Sequence, residues 1–188
     1  MKRVIYAVLS ACLALSLMSA CTAGDTVETT IAEPSSTAQT ITIEEYREAI
    51  AKSRSAIWTA SIYLSDLGEY EHILWNASIS VGSNKGLTND YIDDAFRWLS
   101  ENSDGTKASV NGGYSVVRDQ YKEIILMEIE GAEATELRET YSAMYEAYTD
   151  LYTLVTTPSR SISDFENRFN ESVSVIKEAD IDLGLFLD

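Results

Sequence analysis

The sequence predicts an all-α, up-and-down helix bundle of about five helices, with one long N-terminal helix. Three observations predict it. From Ile43 onward, apolar residues recur at seven-residue intervals, the spacing of a helix face that meets a partner. No stretch of the domain alternates apolar and polar residues with the period of two that a half-buried strand requires. The 188 residues include only two prolines and nine glycines, against many Ala, Glu, Leu and Tyr, a composition that favours helix.

Residues 1–20 stand apart from that domain. Met1-Lys2-Arg3 precedes an apolar run from Val4 to Ala20, and Ser19-Ala20 supplies small residues before a cut. A basic start, an apolar core and small residues make a secretory signal peptide. The run is shorter than the roughly 20 residues of a membrane-spanning helix, and Thr22-Ala23-Gly24-Asp25 lacks a basic stop-transfer flank. With Cys21 directly after Ala20, Met18-Ser19-Ala20-Cys21 resembles a bacterial lipoprotein lipobox. The resemblance implies diacylglycerol on the Cys21 sulfur, cleavage between Ala20 and Cys21, and at least two acyl chains, enough for stable anchoring. Leu9-Ser10-Ala11-Cys12 has the more usual Leu, but a cut there leaves an apolar core of only Val4 to Ala11.

Residues 21–41 then form a lipidated cysteine and a disordered tether. They are rich in Thr, Ser, Ala and Glu, contain Pro34, and lack helical apolar spacing. A chain of this length has an end-to-end distance of roughly 25 Å.

The helical domain is residues 42–188. Thr42-Ile43-Glu44-Glu45 is a capping box. Ile43, Ile50, Ile57 and Leu64 hold one heptad position, and Tyr46, Ser53, Ala60, Leu67, Leu74 and Val81 hold the other. This predicts one helix from Ile43 to about Ser80, on the order of 57 Å long, ended by Gly82. Gly68 in its middle marks a point of weakness for a kink or break. Trp58, Ile62, Ile73, Trp75 and Ile79 lie off the main stripe, so this helix expects more than one neighbour.

A loop over Gly82-Ser83-Asn84-Lys85-Gly86 leads to a short helix capped by Thr88 or Asn89, with Tyr91, Ile92, Ala95, Phe96 and Leu99 on one face. Asn102-Ser103-Asp104-Gly105 ends it. Gly112-Gly113 argues against a helix interior, so the next helix is placed from about Tyr114 to Glu130, with a start several residues earlier left open by Val110 and Val117. Gly131 is a hinge. A fourth helix from about Ala134 to Val155 turns Leu137, Tyr141, Met144, Tyr145, Tyr148, Leu151 and Tyr152 inward, and Pro158 stops it. Ser161 or Ser163 caps the last helix, which uses Phe165, Phe169, Val173 and Ile176. It is expected to end near Ala179, leaving an apolar tail of Ile181, Leu183, Leu185 and Phe186. Short connections make successive helices antiparallel.

Composition narrows the chemistry. Cleavage before Cys21 removes Lys2 and Arg3 and takes the formal charge from −16 to −18. Such a surface repels phosphates and anionic headgroups, so no nucleic-acid partner is expected and the membrane is reached through the lipid on Cys21. Cys12 leaves with the signal and Cys21 is acylated, so no thiol remains for a disulfide, a nucleophile or a metal.

His72 is the sole histidine. Glu69-Tyr70-Glu71-His72 contains the Glu-x-x-His of di-iron bundles, but that site needs a second copy on another helix, and a structural or surface role fits better. Asn102-Ser103-Asp104-Gly105 looks like part of a calcium loop, yet Ser100 and Asn111 stand where the end carboxylates belong, and a capped turn accounts for it. The paired acids Glu44/Glu45, Asp93/Asp94 and Glu128/Glu130 read as a solvated acidic face. No cofactor or metal is expected, and the chain is not expected to be an enzyme; a buried carboxyl pair in a deep pocket would revive that reading. The ladder Tyr141, Tyr145, Tyr148, Tyr152 is either core or a candidate interaction surface, since tyrosines serve both.

The last third is similar to a group of helical lipoproteins and phage-encoded proteins of Firmicutes. The likeness is carried by the spaced tyrosines Tyr141, Tyr145 and Tyr148 with Leu151 and Leu154, then Pro158-Ser159-Arg160-Ser161, then Phe165 and Phe169-Asn170. Trp75-Asn76-Ala77-Ser78-Ile79 matches the group's Trp-containing motif, while Arg160 replaces its glycine and Glu133-Ala134 its paired prolines. The resemblance implies a Gram-positive source, a helical fold and no established catalytic residues. The function expected is a membrane-anchored, extracytoplasmic, non-enzymatic binding module with an envelope protein as partner. The alternative that the group suggests is a phage- or prophage-linked surface factor affecting phage entry.

Overall fold

The structure, a computed structural model, describes residues 41–82, 88–103, 105–157 and 161–187. The signal segment, Ala20, Cys21 and the tether up to residue 40 lie outside the described residues, as does Pro158-Ser159-Arg160.

Five helices make an all-α bundle: α1 (Ile43–Ser80), α2 (Asn89–Asn102), α3 (Lys107–Ile125), α4 (Ala132–Thr156) and α5 (Ile162–Leu187). The capping box at the start of α1 is complete. The Glu45 amide donates to Thr42 Oγ1 at 3.2 Å, and the Thr42 amide donates to Glu45 Oε2 at 2.9 Å. This contact holds the Glu45 carboxyl below its ordinary range. Gly82, at φ +80°, follows the other end of the helix.

The buried face of α1 begins in heptad register and then drifts. Tyr46, Ile50, Ser53, Ile57, Leu64 and Leu67 are buried, but the next buried apolar residue is Trp75 rather than Leu74, and Val81 is 81% exposed. A straight helix loses about 20° per heptad against a 3.5-residue repeat, which carries the stripe one position along over this length. Gly68 does not break the helix. Phe169 and Val155 close over it, and a Cβ there would lie 2.3 Å from the Phe169 ring.

Contacts along α1 fix the direction of every other helix. Tyr91 meets Ser78 and Trp98 meets Tyr70, so α2 runs antiparallel to α1. Gly105 then abuts Tyr63, and Gly113 approaches Ala60, so α3 continues in the same direction. The expectation that successive helices are antiparallel therefore fails between α2 and α3. α3 follows α2 without a reversal, and Gly105 packs so closely on Leu99 and Tyr63 that a Cβ would sit 2.9 Å from both. Together α2 and α3 form one broken column.

α4 returns parallel to α1, tied by Arg47 to Glu133 and by Ser53 to Tyr141. α5 comes back antiparallel, with Arg54 Nε donating to Asp180 Oδ1 at 2.7 Å and Trp75 edge-on to Phe165. The result is four columns made from five helices.

Four boundaries differ from expectation, the first being that α3 ends at Ile125 rather than Glu130, with residues 127–130 outside any helix. α3 starts at Lys107, capped by Thr106, and passes through Gly112-Gly113, because both glycines sit on the outer or close-approach side and Val110 and Val117 anchor the helix. α4 starts at Ala132, directly after Gly131 at φ +124°. α5 continues past Ala179 to Leu187, since Ala179 and Leu183 extend the buried stripe of Phe165, Ser172 and Ile176. The Asp164 amide donates to Ser161 Oγ, which makes Ser161 the capping side chain.

Candidate functional site

The tyrosine ladder lies along the seam between α3 and α4. Tyr141 and Tyr148 are fully buried, while Tyr145 and Tyr152 are half-buried. Two tyrosines of α3, seven residues apart, meet them. Tyr121 stacks on Tyr145 with ring centres 3.7 Å apart, and Tyr114 stacks on Tyr152 at 4.0 Å. Because the helices are antiparallel, the seven-residue interval on α3 matches the interval from Tyr145 to Tyr152 on α4. The stacks fill the gap between these two columns. In the sequence Tyr121 reads only as part of the apolar spacing of this helix and Tyr114 only as its start; the interval they share with Tyr145 and Tyr152 is the signal that pairs them with the ladder.

The hydroxyls differ in their surroundings. Tyr141 Oη lies 2.7 Å from Ser53 Oγ, both buried, and desolvation pushes its phenol up to about 12. Burial also raises the Tyr148 phenol, whose oxygen has no partner. Tyr152 donates to Asn111 Oδ1 at 2.9 Å and lines a cavity of about 380 Å³ with Asp93, Phe96 and Lys107.

A second concavity, about 200 Å³, lies between α1 and α5. Trp58, Ile62 and Asp66 line it from α1, and Val173, Ile176 and Lys177 from α5. Trp58 is 38% exposed and Ile62 50%, and Ile73 is exposed farther along the same helix. These are side chains of α1 that lie off the main stripe. Neighbouring helices cover the other sides of α1 but leave this one open, so the expectation of cover within the bundle is corrected for Trp58, Ile62 and Ile73, and also for Ile79, exposed near the end of the helix; Trp75 alone of the five is buried.

The most unusual group is Glu71. It is fully buried, both carboxylate oxygens lack a hydrogen-bond partner, and burial pushes its pKa up to about 9. It is therefore a neutral acid at pH 7. Sequence reading passed over it, although the signal was present: seven residues after Leu64, it is the next member of the series Ile43, Ile50, Ile57, Leu64. Among the described residues it is the one fully buried carboxyl, whereas acid–base hydrolysis of the glycosidase type needs a pair.

His72, beside it, turns outward. Its Nε2 meets the Glu166 carboxylate of α5, with Asn76 Nδ2 at 2.8 Å. Among the described residues no group of three His, Cys, Asp or Glu side chains is placed to hold a metal ion. None of their helices is long and apolar enough to cross a membrane. Comparison with known proteins finds no matching family model, no similar curated protein and no similar solved structure.

Proposed function

We propose that the chain is a membrane-anchored, extracytoplasmic lipoprotein whose helical bundle is a non-enzymatic binding module for an envelope protein. The observation that carries this reading is the N-terminal segment. Lys2-Arg3, an apolar run and Met18-Ser19-Ala20-Cys21 together address the chain to export and place a cysteine where the acyl chains attach. The open groove between α1 and α5 supports the binding role, because an exposed Trp and Ile in a concavity rimmed by Asp66 and Lys177 are the ingredients of a recognition surface.

Two measurements test it. Mass spectrometry of the full chain from membranes is expected to find an acylated Cys21 as the amino terminus, and Cys21→Ala is expected to leave the protein unprocessed and unacylated. An unmodified thiol at Cys21, on material shed into the medium, overturns the anchor. For the binding role, pull-down of envelope proteins is compared between the wild-type chain and Trp58→Glu/Ile62→Glu. Selective loss of a partner supports the role and identical recovery overturns it.

A further inference from the structure

Glu71 sits where a carboxyl has to be explained. The section of α1 around it is packed from several sides: Gly68 lies under Phe169 and Val155, Tyr70 stacks on Trp98 of α2 at 4.4 Å, and Trp75 meets Phe165. Leu67, Glu71, Leu74 and Ser78 follow one another at spacings of three and four, so they share a face. Ser78 on that face accepts a hydrogen bond of 2.6 Å from the Tyr91 hydroxyl of α2. Gly68 and Trp75, three residues before and four after Glu71, lie instead under α4 and α5, so Glu71 stands between the two sides of α1, and α2, which meets α1 at Tyr70 and Ser78, forms one wall of its surroundings.

α2 is also the element most easily lifted. It has 14 residues, too few for a stable helix in isolation. Its packing is chiefly on α1, through Ile92, Ala95, Phe96 and Leu99. The larger helices α1, α4 and α5 all pack on one another.

We propose that docking of α2 onto α1 is coupled to the proton on Glu71: the closed bundle holds that proton, and lifting α2 lets it go to solvent. The charged groups on the surrounding elements are engaged elsewhere. On α2, Asp93 pairs with Lys107 and Asp94 with Arg97; on α5, Glu166 pairs with His72 and Asp164 with Arg168; on α4, the buried Tyr148 hydroxyl carries no charge. None of these compensates an ionised Glu71.

The direction follows from linkage. Closed, Glu71 keeps its proton until about pH 9; exposed, it titrates at its ordinary value of 4.5. Between those limits opening releases one proton. Closure is therefore strongest below the lower value and weakens steadily as pH rises towards the upper one. The opening equilibrium gains about tenfold per pH unit across this window. Acid closes the α2 end of the bundle and alkali loosens it.

Hydrogen exchange of the full chain, corrected for intrinsic rates, tests this from about pH 5 to about pH 8. In the wild type the α2 amides are expected to lose about tenfold in protection per pH unit. In Glu71→Gln the loss is expected to vanish, and Glu71→Met serves if the glutamine variant does not fold. His72→Gln, which removes the imidazole next to Glu71 in the chain, is expected to keep the slope. Flat protection of α2 in the wild type overturns the proposal. So does an equal slope in Glu71→Gln, or a slope confined to α4 and α5 amides that open only with the whole domain. These outcomes are independent of whether Cys21 is acylated or the groove binds a partner.

Discussion

Two buried tyrosines on one face of α4 predict opposite consequences of the same change. Tyr141 Oη is paired with Ser53 Oγ at 2.7 Å in a dry setting, whereas the Tyr148 hydroxyl is buried without a partner. Removing the first oxygen leaves Ser53 unsatisfied, so Tyr141→Phe should cost about 1–2 kcal/mol in urea unfolding. Removing the second takes away a desolvated group, so Tyr148→Phe should be neutral or slightly stabilising. Equal losses in both variants would show that the hydroxyls are not distinguished by their partners. That the tyrosines share the inward side of α4 was legible from their spacing, but that Tyr141 and Tyr148 are fully buried while Tyr145 and Tyr152 stay half-buried was not. Which oxygen finds a partner was not, because Ser53 lies 88 residues away in sequence and reaches Tyr141 only once α1 and α4 run parallel. Glu71 was legible in the same limited sense: its heptad position marks it as inward, but its lack of a partner depends on side chains from other helices.

At the scale of the element, glycine inside a helix has two meanings here. In an exposed helix interior, Gly to Ala stabilises by about 0.5–1 kcal/mol. Gly112 of α3 has nothing within 4 Å of an added Cβ, so Gly112→Ala should raise the urea midpoint by that order. Gly68 of α1 is covered by the Phe169 ring, which an added Cβ would overlap, so Gly68→Ala forces Phe169 aside and should lower stability by about 1–3 kcal/mol. A stabilising Gly68→Ala would mean that α5 does not pack on α1 as described. The same contrast explains what the chain reveals of its helices. Periodicity and caps located α1, α2 and α4 to within a few residues. The glycine pair of α3 masked its first turns, because sequence does not say which glycines face solvent. The collinear α2–α3 column was invisible for a related reason: whether a four-residue connection reverses the chain is set by Gly105 packing on Leu99 and Tyr63, a tertiary contact.

For the whole molecule, two electrostatic effects act on stability and can be separated. The chain has 30 acidic and 14 basic residues, so its exposed carboxylates repel one another and weaken the compact state. Salt screens that repulsion, with a Debye length of about 3 Å at 1 M. Glu71 is buried, and the cost of ionising it is desolvation, which salt does not relieve. Salt should therefore raise the urea midpoint at neutral pH by a similar amount in the wild type and in Glu71→Gln. The pH dependence should behave differently. Folded Glu71 retains its proton up to about 9 while the unfolded chain releases it above 4.5, so stability falls as pH rises between them, with a slope approaching about 1.4 kcal/mol per unit. In 1 M salt that slope should persist in the wild type and be largely lost in Glu71→Gln, which should also be the more stable protein at about pH 8. If salt abolishes the wild-type slope, surface charge rather than Glu71 governs the response of this bundle to pH.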